Sequence, residues 1–230
     1  MKTLSKRSEL VKKLVLKKNY NIEEAVDILK QTSTTKFIES AEAHFCLNID
    51  TKYNDQQFRT TIKLPKGTGK SIKIAILVPE SMDKDGLIKE GADVVGSSDL
   101  LQAISDGSLN FDLLLTTPEM MPQLTKLGKI LGPKGLMPST KSGTIVTDLV
   151  AALHEFKSGK VECRCDKTGV VHVLFGKMNF SNIDLIENLM VVYESVKQNR
   201  PKGVKGKYLK TFVICTTMGP AIKIDLATLP

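Results

Sequence analysis

The chain has 230 residues, 41% hydrophobic and 25% charged, which leaves room for one large domain or two modest ones. Its apolar runs, such as 74–78 and 113–115, are of strand length and far short of the roughly 20 apolar residues of a bilayer-crossing helix, so no membrane partner is expected. The net charge of +8 is uneven: residues 68–159 carry 9 Lys against 11 acids (−2), whereas the two flanks carry 24 basic and 14 acidic residues (+10), which predicts one surface, shared by both flanks, that faces a polyanion.

Residues 5–18 set Leu10, Val11, Leu14 and Val15 at helical spacing. The basic N-terminus runs into this helix without a separate apolar core or cleavage site, so it is read as part of the mature fold. Asn21 with Glu24 three residues on predicts a capping box that opens a second helix through Leu29. Ala43, Phe45, Leu47 and Ile49 then alternate with His44, Cys46 and Asn48 as a half-buried strand, and 60–64 gives another, the expected start of an antiparallel sheet. At 65–69 the pattern changes to near-continuous apolar runs at 72–78 and 111–115, with helix patterns beginning near Ser98, Pro118 and Thr147: a small parallel sheet clad on both faces. After Gly159 the period of two returns in Val161, Cys163 and Cys165, a turn at 166–169 leads into strand 170–175, Ser181 caps a long helix, and strands near 209–216 and 222–226 close the chain.

The fold class that follows is α/β in two domains: a discontinuous α+β domain from residues 1–67 and 160–230 with an antiparallel sheet, interrupted by an α/β domain at 68–159 with a small parallel sheet. The chain would cross twice, near 65–70 and 157–160, and Pro65, Gly67, Gly69, Ser158 and Gly159 are expected to form a paired hinge.

Enzyme signals are weak. KGTGKS, with Gly67, Gly69, Lys70 and Ser71, has the end of a phosphate-binding loop, but Leu64 stands where the loop needs its first glycine, and the segment runs into a strand instead of opening a helix. Cys46, Cys163, Cys165 and Cys215 lack zinc-motif spacing and are read as reduced thiols, and His44, His154 and His172 as structural, so neither a catalytic residue nor a metal or other cofactor is expected.

Three segments point to nucleic acid. Residues 197–223 hold Lys197, Arg200, Lys202, Lys205, Lys207, Lys210 and Lys223 and no acid; such a run is either a solvated loop or a lysine cradle for a phosphate backbone. TTMGP at 216–220 supplies a hydroxyl, a flexible apolar side chain and a glycine, fit for a ribose edge and a base face, or equally an ordinary strand-ending turn. LGKILGPKGLMPSTKSGTIV at 127–146 sets Gly132, Pro133, Gly135 and Pro138 within seven residues, among Lys126, Lys129, Lys134 and Lys141, in a stretch with no acid between Glu119 and Asp148: a basic loop.

LGKILGPKGLMPS resembles the signature of the ribosomal protein L-one family, the universal protein of the mobile stalk on the large ribosomal subunit, and the resemblance extends over nearly the whole chain. It implies a terminal RNA-binding domain interrupted by a Rossmann-like one, and a partner in large-subunit rRNA. It also implies a role in releasing deacylated tRNA from the exit site and, for many bacterial members, repression of their own mRNA. Thr217, Met218 and Gly219 match the family's RNA-contacting triplet, Lys36 and Phe37 the pair placed opposite it, and Arg164, Asp166 and Lys167 the hairpin expected on the same face. Phe37 taken alone could equally be core. The family commonly has glycine after Arg59, where this chain has Thr60. NIDTKYNDQQFRTTIKLPKGTGK resembles cyanobacterial and plastid members, pointing to a ribosome in the plastid (chloroplast) stroma, with the bacterial cytoplasm as the alternative. Two other classes remain as alternatives: a non-ribosomal RNA-binding regulator and a nucleotide-dependent α/β enzyme.

Overall fold

The computed structural model describes every residue except 1–5, 16–18, 54, 81, 83, 108, 202, 205 and 230. In chain order the elements are α1 (Lys6–Leu14), α2 (Ile22–Thr32), β1 (Ser40–Leu47), β2 (Arg59–Lys63), β3 (Ile74–Leu77), α3 (Lys84–Lys89), β4 (Val94–Gly96), α4 (Ser98–Ser105), β5 (Leu113–Thr116), a 3-10 turn (Pro118–Met120), α5 (Met121–Lys126), α6 (Gly128–Leu131), α7 (Leu149–Lys157), β6 (Lys160–Arg164), β7 (Val170–Lys177), α8 (Asn182–Gln198), β8 (Leu209–Thr216) and β9 (Ile222–Ile224). They fall into two compact units, Met1–Gly69 with Val161–Pro230, and Lys70–Lys160.

The terminal unit holds a four-stranded antiparallel sheet in the order β7-β1-β8-β9. Strand side chains alternate between faces, so β1 turns Ala41, Ala43, Phe45 and Leu47 inward and Ser40, Glu42, His44 and Cys46 outward. The inward face meets α2 through Ala25, Val26 and Leu29 and α8 through Leu185, Leu189, Val192 and Val196, all buried in one core. Phe45 and Phe212 stack there with centroids 4.3 Å apart, and burying each such ring contributes about 1.5–3 kcal/mol. A Cβ on Gly176 would stand 2.8 Å from Leu185, so the absent side chain lets α8 settle on β7.

Two expectations need correction here. Strand β2 does not join the sheet of β1 but forms a separate two-stranded sheet with β6, because β7 and β8 occupy both edges of β1. Asn21 occupies the N-cap of α2, yet its side chain makes no capping bond; Glu23 and Glu24 in the first turn favour the positive end of the helix dipole instead. At α8 the cap is real, with Ser181 Oγ accepting from Asp184 N at 3.1 Å.

In the second unit β4-β3-β5 form a parallel sheet, and all four residues of β3 are buried. Ile74 and Ile76 face Leu87 of α3 and Leu153 and Phe156 of α7, while Ala75 and Leu77 face Ile104 of α4, Leu124 of α5 and Leu131 of α6. Cladding on both faces is why these strands read as unbroken apolar runs. Elements α3 and β4 escaped the sequence reading because six and three residues are too few to show a period.

The first crossing is held from within the terminal unit. Asn188 of α8, fully buried, accepts from Lys66 N at 3.1 Å and donates to the carbonyls of Gly67 at 3.1 Å and Phe175 at 2.8 Å. Gly67 and Gly69 take φ of +67° and +69°, open to glycine at little cost, and Gly69 lies against the Phe180 ring. Pro65, Gly67 and Gly69 therefore lie in an anchored strap. At the second crossing Ser158 ends α7 in helical geometry, its Oγ donating to Glu155 O at 2.9 Å, and Gly159 follows with φ +112°.

Candidate nucleic-acid interface

Two groups of predicted site residues sit at opposite ends of the four-stranded sheet. At the start of β1, Ser40 N donates to Thr217 Oγ1 at 3.0 Å and Thr217 N donates back to Ser40 O at 3.2 Å. This reciprocal pair fastens the 217–219 turn to the loop that carries Lys36 and Phe37, so segments 180 residues apart in sequence share one edge. Phe37 is 55% exposed and Met218 55% exposed, which excludes the core reading of Phe37 and leaves two large apolar side chains in solvent beside the exposed Lys36. Gly219 N closes the turn onto Thr216 O at 3.1 Å, and a Cβ on Gly219 would collide with Thr216 Oγ1, so the turn demands glycine.

Arg7 of α1 also reaches this end, its Nη2 donating to Met218 O at 2.9 Å. The sequence reading missed it, since one arginine in a basic helix carries no signal of a contact 211 residues away. Buried polar atoms without a partner among the described residues gather at the same end: Arg7 Nη1, both carboxylate oxygens of Glu39, and Thr216 Oγ1. Native proteins pair most such atoms, so their concentration here marks a place where a polar ligand has something to satisfy.

The second group lies where β1 ends. Leu47 N donates to Gly169 O at 3.0 Å and Asn48 N to Tyr208 O at 2.7 Å, which brings the 165–170 turn and the start of β8 together. Arg164 and Lys167 are exposed there. Asp166 is committed to the turn itself: its carboxylate accepts from Val170 N at 2.8 Å and Thr168 N at 2.9 Å, and these bonds hold its pKa below the usual carboxylate value. Lys207 lines a cavity of about 270 Å³ with Tyr193, Val196, Lys197, Arg200 and Tyr208, where Arg200 lies 5.9 Å from the Tyr208 centroid and Lys197 5.7 Å from that of Tyr193. Lys205 lies outside the described residues. The eight residues of β1 separate the two groups by roughly 23 Å at 3.3 Å per residue, so the 164–167 hairpin is not a neighbour of Phe37 and Met218.

The 127–146 segment belongs to the second unit and is only partly a loop. Gly128–Leu131 is a helical turn that buries Leu131, and Gly132 N bonds to Gly128 O at 2.9 Å. A Cβ on Gly132 would stand 2.6 Å from that carbonyl. Pro138 is buried, whereas Lys129, Gly132, Pro133, Lys134 and Gly135 are exposed. Behind them Ser139 N donates to Thr144 Oγ1 at 2.8 Å and Ser142 Oγ to Ser139 O at 3.0 Å, which stiffens the base of the segment.

Between the two ends runs the outward face of the sheet, where no sequence motif announced anything. His44 Nδ1 and His172 Nδ1 are 2.7 Å apart, and His44 Nε2 lies 3.1 Å from Cys215 Sγ. Burial, and then His172, push the His44 pKa down, against a smaller opposing pull from Glu42. Cys163 differs: it is fully buried, and burial pushes its thiol up to about 12.

Residues 29–220 match the model of the Ribosomal protein L1p/L10e family. The large ribosomal subunit protein uL1c of Guillardia theta is 55% identical over 227 residues, 99% of this chain and 97% of its own length. That of Trieres chinensis is 58% identical over 206 residues, 90% and 89% of the two chains. The large ribosomal subunit protein uL1 of the bacterium Trichodesmium erythraeum is 49% identical over 228 residues, 99% and 95%. With a match across most of its length and chloroplast-type relatives covered nearly end to end, the chain belongs to the Ribosomal protein L1p/L10e family and is a ribosomal structural protein of the plastid type, not an enzyme.

Proposed function

We propose that the chain binds large-subunit rRNA through the sheet end formed by Lys36, Phe37, Thr217, Met218 and Gly219, and forms the protein part of the mobile stalk beside the tRNA exit site. The observation that carries this reading is the reciprocal Ser40–Thr217 hydrogen bonding, which holds two exposed apolar side chains and a lysine at one edge of a rigid sheet. RNA is read through splayed bases and ribose edges, and Phe37 and Met218 offer faces to stack on while the Thr217 hydroxyl and the Gly219 backbone meet the sugar. Arg164, Lys167 and Lys207 at the far end, with Lys205, supply backbone contacts that position the RNA without reading it. The +10 balance of the flanks supports the terminal unit as the gripping domain. The inserted unit then swings on the crossings at 65–70 and 157–160, its exposed Lys129 and Lys134 turned to exit-site tRNA and its release. Binding of an rRNA-like element in its own mRNA would make the protein a repressor of its own synthesis.

Phe37→Ala and Met218→Ala test the site. Each should weaken binding of the cognate rRNA fragment by about 1–3 kcal/mol with an unchanged circular dichroism spectrum. Full affinity in both variants would refute the assignment, and failure of the intact chain to sediment with large subunits would refute the ribosomal role.

A further inference from the structure

We propose that Glu42, His44 and Cys215 form a transition-metal site, suited to zinc(II), on the outward face of the four-stranded sheet, with His172 orienting the His44 ring. Nothing in the rRNA reading requires this site. Strand register builds it: Glu42 pairs with Cys215 across β1 and β8, and His44 pairs with His172 across β1 and β7, so all four side chains leave the same face.

The ligand atoms of Glu42, His44 and Cys215 lie within 4.8 Å of one another. His44 Nε2 is 3.1 Å from Cys215 Sγ and 3.9 Å from Glu42 Oε2. A tetrahedral ion with bonds of about 2.0–2.3 Å sets its donors about 3.3–3.6 Å apart, so side-chain shifts of about 1 Å bring the three into register. One thiolate, one imidazole and one carboxylate suit zinc, whereas magnesium and calcium ask for oxygen donors throughout. Three protein donors leave a fourth tetrahedral position for water.

The neighbours orient the imidazole. When His44 donates from Nδ1 to His172 Nδ1 at 2.7 Å, its Nε2 lone pair is left facing Cys215 and Glu42. His172 then carries its proton on Nε2. A hydrogen bond from the far nitrogen of a ligating imidazole to a neighbouring acceptor is what fixes the ring of such a ligand. Binding replaces the S–H bond of the free Cys215 thiol with a metal–sulfur bond and releases the proton to water.

The test uses the full-length, reduced, RNA-free protein titrated with cobalt(II), followed by zinc(II) displacement. One equivalent of cobalt should raise a thiolate-to-cobalt charge-transfer band that zinc abolishes. The band should vanish in Cys215→Ser and persist in Cys46→Ser and Cys165→Ser. His172→Ala should keep the band but lower zinc affinity about 10–100-fold. Absence of the band from the parent protein, or its survival in Cys215→Ser, overturns the proposal. If Cys215→Ser loses its native circular dichroism spectrum, Glu42→Gln and His44→Ala carry the same test, and zinc affinity unchanged in both overturns it. Because no RNA is present, failure here leaves the rRNA assignment standing.

Discussion

Strand β1 of the terminal unit buries every second side chain, while β3 of the inserted unit buries all four of its residues. The difference lies in what covers them. Helices α2 and α8 clad one face of the terminal sheet, and the other keeps its polar side chains, whereas helices on both sides of the inserted sheet leave none to spare. A half-clad sheet can carry chemistry on its strands, but a fully clad one offers only the loops and turns at its ends. Glu42, His44, Cys215 and His172 are available for this reason, and in the inserted unit the exposed Lys129, Lys134 and Gly135 lie outside the strands.

The largest effect that would break this comparison is on stability. Phe45→Ala, on the clad face of β1, should cost about 3–5 kcal/mol in equilibrium denaturation, while Cys46→Ser on the next, outward position should cost less than about 1 kcal/mol. In β3 no such alternation should exist: Ile76→Ala should cost about 2–5 kcal/mol and Ala75→Leu about 1–3 kcal/mol from overpacking. Equal costs at Phe45 and Cys46 would mean that the outward face is not free.

Next is the anchor of the first crossing. Asn188→Ala strands Lys66 N–H and two carbonyls that the amide now pairs, and should cost about 2–3 kcal/mol by the same measurement. A cost under about 0.5 kcal/mol would show that the strap is held by other contacts.

Salt dependence sharpens the contrast between the units. Neutralising Lys205 and Lys207 together should flatten the slope of log affinity against log salt, by about 0.9 for each lost contact to duplex phosphate. Neutralising Lys129 and Lys134 should leave the rRNA slope where it was. Equal flattening by both pairs would assign rRNA contact to both units.

The smallest expected effect concerns acid. The folded pKa of Asp166 is depressed by the Val170 and Thr168 hydrogen bonds, so the native state binds this proton less readily than the unfolded chain. Its contribution is therefore fully present above the unfolded value of about 3.9 and fades as pH falls through the folded one. Asp166→Asn should reduce the pH slope of stability below about pH 4, and an unchanged slope would remove Asp166 from the acid response.

Local pattern carried much of this far. The alternation at 43–47 foretold β1, the apolar run at 72–78 foretold β3, and Ser181 foretold the start of α8, because side-chain period and capping chemistry are properties of neighbouring residues. The family signature at 127–139 was legible as a string, although nothing in it told the buried Pro138 from the exposed Pro133. Asn21 shows the limit of local reasoning: the right residue stood at the N-cap, but the side-chain bond depends on a rotamer that the sequence does not dictate.

By itself the sequence determined the period of each long element, the alternation of two folding patterns along the chain and the excess of positive charge at its two ends, all of which follow from composition over short windows. Only the tertiary structure decided that β2 seeks β6 and not β1, that Arg7 grips the carbonyl of Met218, and that His44 meets Cys215, 171 positions further along the chain. Strand partners and register are chosen by burying every inward face at once, and that competition has no trace in any single segment.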